Sequence, residues 1–290
     1  MLCARFRCYF KSMSFSLRFI YDSPGSAAFN MAADLFLMEQ CTCRPTVVAV
    51  RFYQWNPAAI TIGYMQRPQE QLDLERLEKN GISWIRRPTG GRAVLHKDDL
   101  TYSCIFSQDV KEMGKSVAAT YALISRSLRK GLRRYGITTM VQGSASSLIK
   151  SAREAKLPCF LAPNRNEIMV KGRKLIGSAQ YRSARAVLQH GSIPLSPAYR
   201  QLPEYLLLSD GEQRCRQVAL LEEKSCAVNE AIGYDIVDPE TLTRALEEGF
   251  KETLGCSAVE EGWKDNEVEQ ITALMVSSPF RERWCRVTER

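Results

Sequence analysis

Ile82-Ser83-Trp84-Ile85-Arg86-Arg87-Pro88-Thr89-Gly90-Gly91-Arg92-Ala93-Val94-Leu95-His96 is the stretch on which the reading of this chain turns. Ile82–Arg86 has the pattern of a short strand. Ala93–His96 resumes one and, with Leu100–Phe106, is predicted to form a hairpin-like pair. Between them, Gly90-Gly91 permits positive φ and a close backbone approach to a ligand. The following amides can hydrogen-bond phosphate or carbonyl oxygens, and Arg86, Arg87 and Arg92 supply charge. The run has neither the Gly-x-x-x-x-Gly-Lys of a P-loop nor the Gly-x-Gly-x-x-Gly of a dinucleotide fold. A Gly-Gly beside arginines is also what an ordinary turn presents, so it needs support from elsewhere in the chain.

Working outward, Phe15–Tyr21, Thr46–Phe52 and Ala58–Gly63 read as strands, the last two joined by Asn56-Pro57. Phe29, Ala32, Ala33, Phe36 and Leu37 mark Phe29–Gln40 as a helix. Pro68–Asn80 reads as one polar-faced helix stopped at Gly81. Val117–Tyr135 is the strongest helix, with Val117, Tyr121, Ile124, Leu128 and Leu132 on one stripe. Ile137–Gln142 is expected as a strand and Gly143–Lys156 as a surface loop. Glu167–Val170 and Lys174–Arg182 are expected as a hairpin about Lys171-Gly172, followed by a strand at Val187–Leu195. After Pro197 strand signals cease and helical ones take over. Asp238-Pro239 marks an N-cap with proline in the first turn, running to Leu254 with Gly255 as the stop, and Glu261–Val276 is also expected to be helical. The fold class that follows is α+β, a mixed-sheet domain with a helical C-terminal portion. We divide it into a basic extension at 1–18, a mixed α+β domain at 19–255 with its core at about 44–255, and a helical tail at 256–290.

Bulk properties narrow the function classes. The chain has 290 residues, 45% hydrophobic and 25% charged, which is ordinary for a folded protein. No apolar run reaches the roughly 18 residues that cross a bilayer, so no membrane partner is expected. The net charge of +8 is interleaved with acids rather than set in one aromatic-lined stripe, which argues against nucleic acid and for acidic macromolecules such as acyl carriers and lipoyl domains. With ten cysteines, two histidines and no Cys-x-x-Cys, neither a zinc site nor a disulfide framework is expected. Most thiols are read as small buried hydrophobes in a reducing, cytoplasmic setting. Arg5, Arg7, Lys11 and Arg18 stand in an acid-free amino terminus. Lys11 interrupts what a secretory signal would need, an organelle transit peptide fits the composition, and a basic extension ahead of Met13 is the plainer account.

Cys159, in Leu157-Pro158-Cys159-Phe160, is a candidate nucleophile with Lys174 as its activating cation. A thiol of pKa ~8.5 is only a few per cent thiolate at neutral pH, and lowering it to about 7 raises that to roughly half. Lys174 can do this, and can polarise an acyl carbonyl during attack. Taken singly, Cys159 also reads as core filler and Lys174 as a solvated hairpin lysine. His96 and His190 are candidate general bases, though a lone histidine beside a strand is commonly a structural hydrogen-bonder.

Several motifs, in order, resemble the octanoyltransferases of the LipM type, within the superfamily that shares its catalytic domain with biotin and lipoate A/B protein ligases. They are Ala28 through Asp34, Arg51 through Pro57, Gly63 through Gln66, Arg86 through His96, Cys159-Phe160, Gly172 through Arg182 and Leu188 through Ile193, with Ala227 through Glu230 and Glu247 through Phe250 later. The resemblance implies Cys159 as nucleophile and Lys174 as the residue that lowers its pKa. It implies substrate binding by Arg87, Gly90, Gly91, Arg92, Ala93, Val94, His96, Gly177, Ser178, Ala179 and His190. Cys159 would take octanoyl from a 4′-phosphopantetheine thioester on an acyl carrier protein. A lysine of a lipoyl domain or glycine-cleavage H protein would then accept it as an amide. Thioester to amide is downhill, so no cofactor, metal or ATP is implied, and a monomer is expected. Asn164-Arg165-Asn166-Glu167 departs from the pattern expected after the cysteine.

Three other readings share the scaffold. An ATP-dependent lipoate–protein ligase tends to carry a third glycine where this chain has Arg92 and does not need Cys159. An amidotransferase moving octanoyl from H protein to another lipoyl domain would use the same cysteine. The third is a non-catalytic binder of acylated carriers, or a basic regulatory domain contacting nucleic acid, and DNA binding would need a helix-turn-helix ahead of the domain, for which residues 1–18 are too short.

Overall fold

The computed structural model describes residues 15–141, 167–255 and 259–285. Among them are eleven strands: β1 (Ser16–Tyr21), β2 (Val47–Tyr53), β3 (Ala59–Ile62), β4 (Ser83–Arg86), β5 (Val94–His96), β6 (Asp99–Ser107), β7 (Met140–Val141), β8 (Ile168–Val170), β9 (Arg173–Arg182), β10 (Ala186–Pro194) and β11 (Val259–Glu261). Helices α1 (Ala27–Cys43), α2 (Pro68–Gln71), α3 (Leu74–Lys79) and α4 (Val117–Arg134) fall in the first half, and a long helix spans Pro239–Leu254. Eight strands form one mixed sheet in the order β11-β1-β2-β6-β10-β9-β8-β7, and β4-β3-β5 form a smaller one. The fold class is α+β, as expected.

The large sheet is covered on both faces, which is why β2, β6 and β10 are buried along their whole length. Alternation sorts their side chains. Val48, Val50 and Phe52 of β2, and Leu100, Tyr102, Cys104 and Phe106 of β6, enter the main core with Ile124, Leu128 and Leu132 of α4 and Leu242, Leu246 and Phe250 of the Pro239–Leu254 helix. Those two helices meet with almost no gap. A Cβ on Gly249 would lie 2.4 Å from Gly131 N, and one on Gly131 2.5 Å from Leu246 Cα. The opposite face carries α1, whose Leu37, Met38 and Cys41 pack on Ala49, Ile105, Ala186 and Leu188.

The local signals at helix ends and turns hold. Asp238 accepts from the amides of Glu240 and Thr241, and Gly255 closes that helix in the left-handed conformation. Lys171 and Gly172 both have positive φ (48° and 80°) and join β8 to β9 as an antiparallel hairpin. Three expectations need correction. Pro68–Asn80 is not one helix, because Leu72 and Asp73 leave helical geometry and Asp73 caps α3 anew through Arg76 N. β5 and β6 are not a hairpin pair: β5 pairs with β3 in the small sheet, while β6 lies between β2 and β10 in the large one. Strands do not cease after Pro197, since β11 adds to β1 in parallel. Beyond it, Ile271, Phe280 and Trp284 pack on Met31 and Phe36 of α1. Arg18, buried in β1, donates to the Gly262 carbonyl and pairs with Glu267. The expected loop at Gly143–Lys156 lies outside the described residues.

Candidate functional site

Register across the large sheet aligns the site. Arg51 of β2 stands opposite Ser103 of β6, Ser103 opposite His190 of β10, and His190 opposite Ala179 of β9. The next row on the same face runs Tyr53, Thr101, Ser192, Gly177. These residues sit at the non-core parity of strands whose other parity fills the main core, so one face of the sheet carries a polar floor.

α1 places Asp34 over the first row. Its Oδ1 accepts from Arg51 Nη1 (3.0 Å) and Ser103 Oγ (2.9 Å), and its Oδ2 from Tyr53 OH (3.1 Å), with His190 Nδ1 3.4 Å away. Burial opposes the Asp34 charge, but the His190 hydrogen bond and the Arg51 guanidinium outweigh it and hold the carboxyl below its ordinary range. Arg51, wholly buried, also reaches Asp22 (2.5 Å) and the Asn30 side chain (2.8 Å), and lies over the Tyr53 ring. His190 Nε2 contacts Thr89 Oγ1 at 2.7 Å. Burial pushes its pKa down, opposed by Asp34 and reinforced by the charge of Arg87. A neutral imidazole fits this setting, with Nδ1–H toward Asp34 and Nε2 accepting from Thr89.

A second imidazole stands beside it. His96 Nδ1 is 2.9 Å from Asp99 Oδ2, its Nε2 is 2.9 Å from Thr61 Oγ1, and its ring stacks on Trp55 at 4.0 Å. Asp99 Oδ2 also accepts from Ser192 (2.6 Å) and Thr101 (3.1 Å). Arg87 joins the two halves, donating from Nε to Thr89 (3.1 Å) and from Nη1 to Thr61 Oγ1 (3.1 Å). Its Nη2 donates to the carbonyls of Gly90 (2.9 Å) and Arg92 (2.8 Å). The guanidinium is therefore the staple that shapes the Gly-rich loop. Arg86 likewise donates to backbone carbonyls, of Arg283 and Gln66. Gly91 rests directly on Gly63, where a Cβ would fall 2.1 Å from the Gly91 oxygen. Gly90 and Gly91 are exposed, Arg92 is half-buried, and Ala93 turns into the small sheet's core.

These groups enclose a narrow cleft. Of the expected substrate-binding residues, Arg87, Val94, His96, Gly177, Ser178, Ala179 and His190 line it, together with Met31, Tyr53, Trp55, Thr61, Thr101, Gly191 and Ser192. Its cavity volume is about 30 Å³, room for no more than a few waters. A roomier concavity, about 630 Å³, lies elsewhere, between the ends of β1 and β2 and the Pro239–Leu254 helix. It contains none of the expected residues.

Lys174 is not in the cleft lining. It is buried on β9, its Nζ 2.5 Å from Glu167 Oε1. Cys159 lies outside the described residues, as do Phe160 and Asn164–Asn166. Of the six described thiols, Cys41, Cys104 and Cys226 are buried, Cys285 is half-buried, and Cys43 and Cys215 are exposed, so buried filler describes only half of them. Burial pushes Cys41 up to about 12 and Cys226 to about 11, and raises Cys104 and Cys285. No cluster of three or more His, Cys, Asp or Glu placed to hold a metal occurs among the described residues.

Sequence reasoning missed Asp34, Arg51, Thr61, Thr89 and Asp99 as members of this network. Two had a signal: Arg51 interrupts the otherwise apolar Val47–Tyr53, and Asp34 stands among buried positions of α1. A charge in such a place requires a partner. Thr61 and Thr89 carry no such mark.

A family model, the lipoyl protein ligase A/B catalytic domain, matches residues 26–251. The chain belongs to this family. Within it, the chain is 34% identical over 268 residues to the octanoyltransferase LipM of Kyrpidia tusciae, covering 92% of this chain and 97% of that one. To the octanoyltransferase LipM of Bacillus subtilis it is 33% identical over 271 residues, covering 92% and 96%. Solved lipoyl protein ligase structures share the fold. A chain from the bi-partite lipoate protein ligase system of Thermoplasma acidophilum superposes with a TM-score of 0.73 at 21% identity, covering 96% of this chain and 98% of that one. ATP-bound lipoate-protein ligase A gives 0.71 at 23%, covering 90% and 94%.

Proposed function

We propose that this protein is an octanoyltransferase of lipoate biosynthesis, moving octanoyl from an acyl carrier protein to a lysine of a lipoyl domain or glycine-cleavage H protein. The observation that carries the reading is its likeness to octanoyltransferases over nearly their whole length. Cys159 is the nucleophile. Its thiolate attacks the carrier thioester, forming the octanoyl–Sγ bond as the pantetheine sulfur departs and takes up a proton. The acceptor's neutral amine then attacks the same carbonyl, forming the amide and passing its proton to the departing Cys159 sulfur. Lys174 lowers the Cys159 pKa and polarises the carbonyl. The Gly90–Val94 loop, with His96, His190 and the Gly177–Ala179 strand, receives the acyl chain and the carrier arm. Burying the tail contributes about 0.8 kcal/mol per methylene, about 5 kcal/mol in all. No metal, ATP or other cofactor takes part, and the enzyme acts as a cytoplasmic monomer.

Intact-mass analysis after mixing the protein with octanoyl-carrier protein and no ATP tests this reading. The expected result is an added octanoyl mass on the wild type, removed by hydroxylamine and absent from Cys159→Ala. Lys174→Ala should acylate more slowly and recover in part at alkaline pH. Modification that needs ATP and free octanoate and survives Cys159→Ala would replace the transferase with a ligase.

A further inference from the structure

One face of α4 carries Arg126, Arg129, Lys130 and Arg133 at the i, i+3, i+4, i+7 spacing that sets four side chains on a single stripe. With Thr138 and Thr139 they line an open groove of about 460 Å³ with no carboxylate in its lining. Arg129 is held to the far wall by hydrogen bonds to the Thr139 hydroxyl and carbonyl (3.2 and 3.3 Å). Glu252 pairs with Lys130 (3.0 Å) and with Arg134 (3.1 Å). Arg126 and Arg133 are exposed and form no ion pair among the described residues. The wall runs straight into β7, the outermost strand of the large sheet among the described residues, where Met140 and Val141 are exposed. The stripe thus lies beside an exposed apolar pair.

We infer that this groove docks the donor, an acidic acyl carrier, and seats the phosphodiester from which its acyl arm hangs. The inference rests on the transferase reading and adds to it the surface that recognises the donor. Charge complementarity suits either acidic partner, and the phosphate chooses the donor: it alone brings a phosphodiester for clustered arginines to bind, whereas the acceptor must present a lysine, which the same cluster repels. The geometry also suits an arm. Met140 pairs with Met169 and Met169 with Lys174, so one cross-strand row leads from the groove wall to the proposed activating lysine. At ~4.8 Å per strand that is about 10 Å between backbones. A phosphopantetheine arm of about thirteen bonds, as long as roughly four extended residues, reaches about 15 Å.

The test reverses charge with Arg126→Glu/Arg133→Glu, two exposed residues outside the proposed catalytic set, with Arg126→Gln/Arg133→Gln as the milder pair. Acyl-enzyme formation is followed with octanoyl-carrier protein and with octanoyl-pantetheine, which has neither phosphate nor protein. The expected result is a rise in KM for the carrier of roughly tenfold at low salt with kcat unchanged. That rise should shrink as salt screens the groove, and octanoyl-pantetheine should react as with wild type. An unchanged carrier KM, an equal loss with octanoyl-pantetheine, or a raised KM for the acceptor instead would each overturn the inference. If the wild type is acylated by neither donor, it is the transferase reading that has failed. The groove is then judged by fluorescence anisotropy with holo-carrier protein, where equal binding by wild type and variant rejects it.

Discussion

The cleft over the sheet and the groove on α4 both concentrate charge, and they treat it in opposite ways. In the cleft the charges are held by fixed partners: Asp34 has Arg51 and His190, Arg87 has the loop carbonyls, and Asp99 has His96 at Oδ2, with only its Oδ1 buried without a hydrogen-bond partner among the described residues. On α4 four cations line one groove with a single carboxylate beside them. The contrast follows from solvent. A buried ion without a partner costs several kcal/mol, so the fold supplies the partner. An exposed cation is solvated and left available to an outside molecule. The cleft charges thus hold a shape, and the groove charges attract.

Variants can press on this difference. The largest effect should come from Arg51→Met, which leaves Asp34 and Asp22 without their shared cation. We expect a loss of about 3–5 kcal/mol of folding stability in urea titration, and a loss under about 1 kcal/mol would mean that the pairs do not hold the site together. His190→Gln is expected to act less strongly and mainly through pH. Because the folded pKa of His190 is depressed, the unfolded chain takes up a proton that the folded one resists as pH falls below the ordinary histidine value of about 6.5. Its contribution is therefore present above that value and lost below it. Wild-type stability should decline between about pH 7 and 5, and the variant should show a shallower decline there. Asp34, whose folded pKa is also depressed, adds a separate loss at lower pH, as the pH falls below about 3.9 and through the folded value. Identical slopes in the two proteins would remove His190 from this account. The smallest change belongs to the groove: Arg126→Glu/Arg133→Glu should leave stability within about 0.5 kcal/mol while altering carrier recognition. A large destabilisation there would erase the contrast between the regions.

Much of this was legible before any coordinates, but unevenly. The Asp238 cap with its Gly255 stop, the Lys171-Gly172 turn and the α4 stripe were readable because each is decided within a few residues by capping, φ and period. Arg87 and His190 were named as binding residues, and both line the cleft, yet the role of Arg87 as a staple beneath the loop was invisible because its acceptors are backbone carbonyls that only the folded loop gathers. The break at Leu72-Asp73 was missed because periodicity continues across it while Asp73 starts a new helix.

Most strands and helices, the Asp238 cap and the face each side chain takes along its own strand were determined by the sequence alone, since dihedral preferences and alternation need no distant partner, whereas β11 and the helix restarted at Asp73 were not. Only the tertiary structure decided that β5 and β6 part into different sheets, and that Asp34 and His190, 156 positions apart, meet above Arg51 and Ser103. Strand order and register are settled by which complete set of faces buries its apolar area with every buried charge paired, and that is a property of the whole packing rather than of any segment.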